Sequence, residues 1–346
     1  MKKVSLLFSL LAFALFACSK VDGTMPSDDG HGGFTGSIPR DFPPMPIPAE
    51  NPLTDAKVRL GRFLFFDKRL SRDSSTSCGS CHKPERAFAD TGRVSFGFQG
   101  LPTEKNSTTL TNVGYVPRLF AEGGVPSLER QVLAPILAHN EFNMTQSELE
   151  ARLSSYPEYR PLFREAFGTE QVTLQRVMFA IASFERTILS GNSAFDRWNR
   201  GDNSALSLAA QRGEALFFGE TGDCWHCHNG FNFTTNTFHN IGLDSNTFNQ
   251  GRILITGNPN DEGKFKVPTL RNVALTAPYM HDGRFRTLED VVRHYNSGGK
   301  PHPQKDPLMR PLGLSEQDIS DLVEFLKSLT DTSFTQNPSL QNPWQP

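Results

Sequence analysis

Two short runs carry the residues best suited to chemistry: Cys78-Gly79-Ser80-Cys81-His82 and Cys224-Trp225-His226-Cys227-His228. In each, two thiols can add to the vinyl groups of one haem while the adjoining histidine ligates its iron. Standing at i, i+3 and i+4, the sulfurs and the imidazole reach one macrocycle from a single helical turn. A redox thiol pair, or half of a zinc site, is the competing reading of one such run. Two complete copies, with Cys18 as the one other cysteine, favour covalent c-type haem at both.

A chain of 346 residues can hold two domains, one for each motif. With 28 Gly and 24 Pro it should form long ordered loops around its cofactors. The formal charge of -2 gives no support for nucleic-acid binding, which favours a basic patch. Cys18 has its own context. Lys2 and Lys3 precede an apolar run, Val4 to Ala17, too short to span a bilayer that needs ~20 helical residues. It ends Leu15-Phe16-Ala17-Cys18, similar to a bacterial lipobox, so cleavage before Cys18 and lipidation of its thiol are expected. An ordinary secretory signal is the alternative. Either way the chain is exported to the periplasm or cell envelope and touches a membrane only through that anchor.

The elements that must position the motifs follow from periodicity. Residues 1–18 form the signal, and 19–52, rich in Gly and then Pro, read as a tether. Residues 53–200 form the first haem domain, 201–335 the second, and 336–346 a tail. A helix should start at Thr54 and lead towards the first motif; another, Leu206 to Phe218, leads to the second. Gly61-Arg62-Phe63-Leu64-Phe65-Phe66 is similar to Gly213-Glu214-Ala215-Leu216-Phe217-Phe218, which points to a duplication. Further helices are expected from Ser127, kinked or ended at Pro135, from Thr145 to Ser154, and from Thr173 to Leu189. Two more should run from Thr287 to Asn296 and from Ser315 to Leu329, while Gly191 to Asn203 should connect the domains. The class is mainly α: two cytochrome c-like haem domains with long loops and little sheet.

From about Pro48 to Asp331 the sequence resembles the bacterial dihaem cytochrome c peroxidase and MauG superfamily. The phrases carrying the resemblance are Leu60 to Asp67, the first motif with Ala87-Phe88-Ala89-Asp90, Ser127-Leu128-Glu129-Arg130-Gln131, Lys266 to Val273, and Ala277 to Gly283. It implies a first, peroxidatic haem and a second that passes it electrons. Glu141 would be the acid/base group moving a proton between the peroxide oxygens, with Gln131 beside it. The resemblance also implies a calcium ion between the domains, with Asn106, Thr276 and Pro278 at the matching places, and in some members a homodimer.

Three departures stand out. Many members carry a histidine that closes the first haem's sixth site, but residues 91–105 contain none, and Phe98-Gln99-Gly100 falls there instead. Tyr295 stands where the peroxidases place an axial methionine and the MauG branch a tyrosine; Met280, Met309 and His294 are rival ligands. The tryptophan usually found between the haems is Ala121, with Trp225 as a conceivable substitute.

The expected activity is reduction of hydrogen peroxide by electrons from a small c-type cytochrome or cupredoxin. Its alternative is MauG-like oxidation of one protein substrate through a doubly oxidised pair of haems. A dihaem electron carrier without catalysis is the rival from another class.

Overall fold

The computed structural model describes residues 33–245 and 250–345. The signal segment and Cys18 lie outside the described residues. Among those residues, no helix is long and apolar enough to cross a membrane.

Twelve helices carry the fold among the described residues. The first half contains α1 (Asp55–Phe65), α2 (Cys78–Cys81), α3 (Leu128–Leu137), α4 (Gln146–Ser155), α5 (Tyr159–Phe167), α6 (Leu174–Glu185) and α7 (Ala194–Asn199). The second contains α8 (Leu208–Phe218), α9 (Ile253–Thr256), α10 (Leu288–Ser297), α11 (Glu316–Ser328) and α12 (Thr332–Thr335). The one described sheet pairs β1 (Phe238–His239) with β2 (Phe265–Lys266), antiparallel, so the chain is mainly helical as expected.

Start signals act as the sequence implies. Thr54 Oγ1 accepts from the Lys57 amide, and capping boxes Thr145/Glu148 and Ser315/Asp318 open α4 and α11. Pro135 sits inside α3, which stops two residues later. Three expectations need correction. The helix read to Leu189 ends at Glu185, where Thr187 and Ile188 donate to Phe184 O and Glu185 O and turn the chain. α5 was not foreseen; it ends at Gly168, whose φ of 75° suits glycine. The supposed connection after Gly191 contains α7, opened by a Ser193/Asp196 capping box.

The duplication is structural. α1 packs across α6 and α8 across α11, and each crossing needs a glycine. A Cβ on Gly61 would lie 1.9 Å from Ala180 O, and one on Gly213 would lie 2.0 Å from Asp321 O. Four residues after each glycine a phenylalanine, Phe65 or Phe217, enters the core of its half. Leu60, Leu64, Val177, Ile181 and Phe184 fill the first core; Leu322, Val323, Phe325 and Leu326 fill the second.

The two halves are sewn together by buried polar groups. Asn112 and Asn272, both in the left-handed region, donate their amides to Ile188 O and Leu329 O. Asn112 Nδ2 reaches Asn232 Oδ1 at 3.0 Å, and Arg271 grips Asp196 of α7 at 2.9 and 3.0 Å. Both ends of the chain join this body. Phe42 stacks 4.6 Å from Phe231 and buried Asn51 donates to Glu129, so the later part of the expected tether is packed structure. Phe334 and Leu340 return to the first core, and Trp344 lies 4.9 Å from Phe63, so the C-terminal segment belongs with the first half.

Overpacking a filled crossing costs about 1–3 kcal/mol. Gly213→Ala should therefore lower the thermal midpoint of the haem-loaded protein by several degrees; an unchanged midpoint would mean that α8 and α11 can slide apart freely.

Candidate active site

The first motif begins on α2. Ser77 N donates to Ser80 Oγ at 3.0 Å, and His82 N closes the turn on Cys78 O at 2.8 Å. In the second, a tighter turn over Cys224–His226 makes the same closing bond, His228 N to Cys224 O at 2.9 Å. Sulfurs and imidazole thus leave one side of a single turn in both halves.

Each histidine is then fixed by one further bond. His82 Nδ1 lies 2.8 Å from Phe88 O, and His228 Nδ1 lies 3.0 Å from Phe233 O. A carbonyl can only accept, so Nδ1 carries the proton and Nε2 keeps its lone pair for a metal. Both carbonyls belong to phenylalanines in the left-handed region, at φ 59° and 50°, a costly backbone for an aromatic residue. Neither carbonyl was legible in the sequence, because a backbone acceptor leaves no residue-type signature. Burial lowers both imidazoles, His228 to about 4, and so keeps them neutral and able to ligate.

These residues fit haem better than zinc. Zinc needs thiolates, whereas burial raises all four thiols, Cys224 to about 12 and Cys227 to about 11. Among the described residues the one group of three or more His, Cys, Asp or Glu side chains close enough to hold a metal ion is Glu220, Asp223 and His226, which includes none of the four cysteines. Both histidines are half-buried, each held at Nδ1 with its Nε2 left unpaired for an iron.

Glu141 lies in the turn that follows α3. Its amide donates to Ala138 O at 3.1 Å, and its carbonyl accepts from Phe98 N at 2.7 Å. Gly97 presses against that turn, where an added Cβ would stand 2.6 Å from Glu141 Cα. The segment without a histidine is therefore the strap that seats Glu141. In Phe98-Gln99-Gly100 itself, Gln99 and Gly100 are exposed and Phe98 is half-buried. Burial raises the Glu141 carboxyl, and Glu141 is near enough to the first motif to help raise the Cys78 and Cys81 thiols. Gln131 is half-buried on α3, in the same part of the domain.

In the second half Tyr295 projects from α10. Burial raises its hydroxyl, and Cys224 and Cys227 of the second motif are near enough to add to the shift. Its neighbour His294 is turned elsewhere, with Nε2 3.0 Å from Ile241 O. Met280 sits in a left-handed turn and Met309 is half-buried.

At the seam, Ala121 O accepts from Lys266 N at 2.8 Å and Glu122 pairs with Lys105 at 2.7 Å. Trp225 is not at that seam loop; it stacks on His226, ring centres 4.0 Å apart, within the second motif. Asn106 donates from Nδ2 to Gly92 O and from its amide to His281 O, which sets it beside the loop carrying Thr276 and Pro278.

Similarity to known proteins agrees with this geometry. Residues 55–204 match the family described as di-haem cytochrome c peroxidase, and 210–330 match cytochrome c. The chain is 39% identical over 339 residues to cytochrome-c peroxidase IdrP1 of Denitromonas iodatirespirans, covering 88% of this chain and 90% of that one. It is 41% identical over 287 residues to methylamine utilization protein MauG of Methylorubrum extorquens, covering 82% and 81%. A crystal structure of a MauG-like protein associated with microbial copper homeostasis superposes with a TM-score of 0.86 at 36% identity, over 90% of this chain and all of that one. The reading as a carrier without catalysis gives way to that of a haem peroxidase, which takes hydrogen peroxide and draws on an electron donor or protein substrate. This chain belongs to the dihaem cytochrome c peroxidase and MauG family.

Proposed function

We propose that peroxide is reduced in the first domain, with His82 as the haem ligand and Glu141 as the acid/base group, and that the second domain relays the electrons. The observation that carries this reading is the carboxyl of Glu141, half-buried on the turn that Phe98 N holds by its carbonyl and raised by burial, which favours its protonated form. The bound haem supplies the iron that receives peroxide and the redox equivalents that reduce it. The chain supplies the proton handling. Glu141 accepts a proton from the inner oxygen and returns it to the outer one, while Gln131 can hold peroxide by hydrogen bonds in between.

The second haem is held by His228 and Tyr295 in this scheme. A phenolate is a hard anionic ligand that favours oxidised iron, whereas the thioether of Met280 or Met309 would favour reduced iron. The pairing of His294 with Ile241 O argues against that imidazole as the ligand. Tyr295 therefore favours a second reading, in which the oxidising power is spent on a protein side chain, as the similarity to MauG also suggests.

A calcium ion between the halves suits Asn106 Oδ1 and the carbonyls of Thr276 and Pro278. Among the described residues no hydrogen bond reaches any of these three oxygens, and oxygen-only ligation suits Ca2+. Export, a lipid anchor at Cys18 and a periplasmic or cell-envelope location are our reading of residues 1–18, and a homodimer is compatible with it.

Two measurements test the scheme. With reduced small cytochrome c and excess peroxide, the first reading expects sustained turnover; a long-lived oxidised protein that ignores the cytochrome would favour the protein-oxidising alternative. Tyr295→Phe should change the optical spectrum of the second haem and shorten the life of any such oxidised form, and an unchanged spectrum would move the ligand to Met280, Met309 or His294.

A further inference from the structure

One buried phenol takes no part in peroxide reduction, although a line of contacts ties it to the first motif. Tyr159 of α5 is fully buried, and its hydroxyl donates to Asp67 Oδ2 at 2.5 Å. That is the length of a bond to an ionised carboxylate. Asp67 follows Phe66 in the chain, and a Cβ on Gly79 would lie 2.4 Å from the Phe66 ring. The ring therefore rests on the turn that carries Cys78 and Cys81. Tyr159 also meets Trp344, with ring centres 6.3 Å apart, and Trp344 is 39% exposed. From haem turn to solvent the line runs Gly79, Phe66, Asp67, Tyr159, Trp344.

Phenol and indole are side chains that can give an electron to a strong oxidant. Removing that electron makes the phenolic O–H strongly acidic, so the loss is easiest where a base already holds the proton. Asp67 is such a base, one hydrogen bond away. Its charge is balanced by Arg69, whose Nη2 lies 2.8 Å from Oδ2 and whose Nη1 binds Glu158 at 2.6 Å. When Asp67 takes the proton, Glu158 still balances the guanidinium. The guanidinium also lies 5.4 Å from the centre of the Tyr159 ring and 4.9 Å from that of Trp344, where it favours a neutral ring over a cationic one. Either oxidation is therefore coupled to loss of a proton. Phe63 O accepts from Trp344 Nε1 at 3.0 Å but is a carbonyl and does not keep that proton, which passes to solvent.

We propose that Tyr159 and Trp344 form an exit for oxidising equivalents, used when peroxide has oxidised the dihaem protein and no electron donor is at hand. The inference rests on the assignment of peroxide reduction to the first domain, whose haem, once it has met peroxide, is the oxidant. In the first step Tyr159 gives that haem one electron and gives Asp67 its phenolic proton, leaving a neutral phenoxyl radical and a carboxylic acid. In the second, Trp344 gives the phenoxyl one electron, Asp67 returns the proton, and the indole loses its Nε1 proton to solvent. The radical then sits on an exposed ring, where a small reductant in solution, such as ascorbate, returns one electron and one proton. Tyr159 is restored at each passage, and two passages discharge the two equivalents left by one peroxide.

The test uses the dihaem protein and its Tyr159→Phe and Trp344→Phe variants, each given one equivalent of hydrogen peroxide without a donor. Freeze-quench electron paramagnetic resonance should show a protein radical in wild type, a purely tyrosyl and longer-lived one in Trp344→Phe, and none in Tyr159→Phe. The optical spectrum of the oxidised form should return to rest several-fold more slowly in Tyr159→Phe. After repeated additions of peroxide, peptide mass analysis should find added oxygen on Trp344 in wild type and not in Tyr159→Phe, whose haem should bleach after fewer additions. Turnover with excess reduced cytochrome c should match wild type in both variants, because the donor then outruns the exit. An oxidised wild type without a protein radical, or a Tyr159→Phe protein with the wild-type radical, lifetime and Trp344 oxidation, would overturn the exit. Should Tyr159→Phe fail to fold, Trp344→Phe decides alone, and a radical unchanged in type and lifetime would overturn it. A wild-type protein that does not react with peroxide would instead overturn the underlying reading.

Discussion

Everything at the two haem-binding turns depends on a single kind of hydrogen bond, from a buried imidazole Nδ1–H to the carbonyl of a left-handed phenylalanine. The bond selects the tautomer and aims Nε2, but the carbonyl stays in place only because the phenylalanine ring is locked in the core. Phe88 packs 6.0 Å from Phe65, and Phe233 packs 6.1 Å from Phe217. Phe65 and Phe217 in turn sit where they do because Gly61 and Gly213 let α1 and α8 approach α6 and α11 at backbone contact. Ligand orientation is therefore set by a chain of contacts running from two helix crossings, through an aromatic pair, to one carbonyl. The unfavourable backbone at Phe88 and Phe233 is retained in both halves because this chain over-determines it.

On that shared frame the halves diverge in what surrounds the histidine. The first holds a carboxyl, Glu141 on its strap, raised by burial. The second offers a phenol, Tyr295, beside its cysteines. Buried acids suit proton transfer, and a phenol suits stabilisation of oxidised iron. The proposed division of labour between two copies of one motif rests on these few side chains. The seam between the copies is polar, built on Asn112, Asn272, Asp196 and Arg271, and Ala121 adds no aromatic ring to it.

The sequence was most informative where chemistry requires particular residue types in a short window. The Cys-x-x-Cys-His runs, the capping boxes at Thr145 and Ser315, and the repeated Gly-x-x-x-Phe phrase are local patterns, and each corresponds to local structure. What escaped depended on distant partners. The carbonyls of Phe88 and Phe233 are invisible in residue types. Glu185 reads as one more helical carboxylate, yet it is 4% exposed at the end of α6. Phe334, at the end of the expected second domain, and Leu340 in the tail pack into the first core, a long-range contact that no local pattern announces. The α6 terminus was misplaced because Ile188 keeps helical spacing and is fully buried, although the chain has already turned.

The central claim is an asymmetric pair, a first haem open to peroxide and a second closed by a protein ligand. The spectrum of the isolated ferric protein, taken before and after one equivalent of hydrogen peroxide, tests it most directly. The account predicts one high-spin and one low-spin haem at rest, with the high-spin signal lost on addition of peroxide. Two low-spin haems that do not respond to peroxide would contradict it.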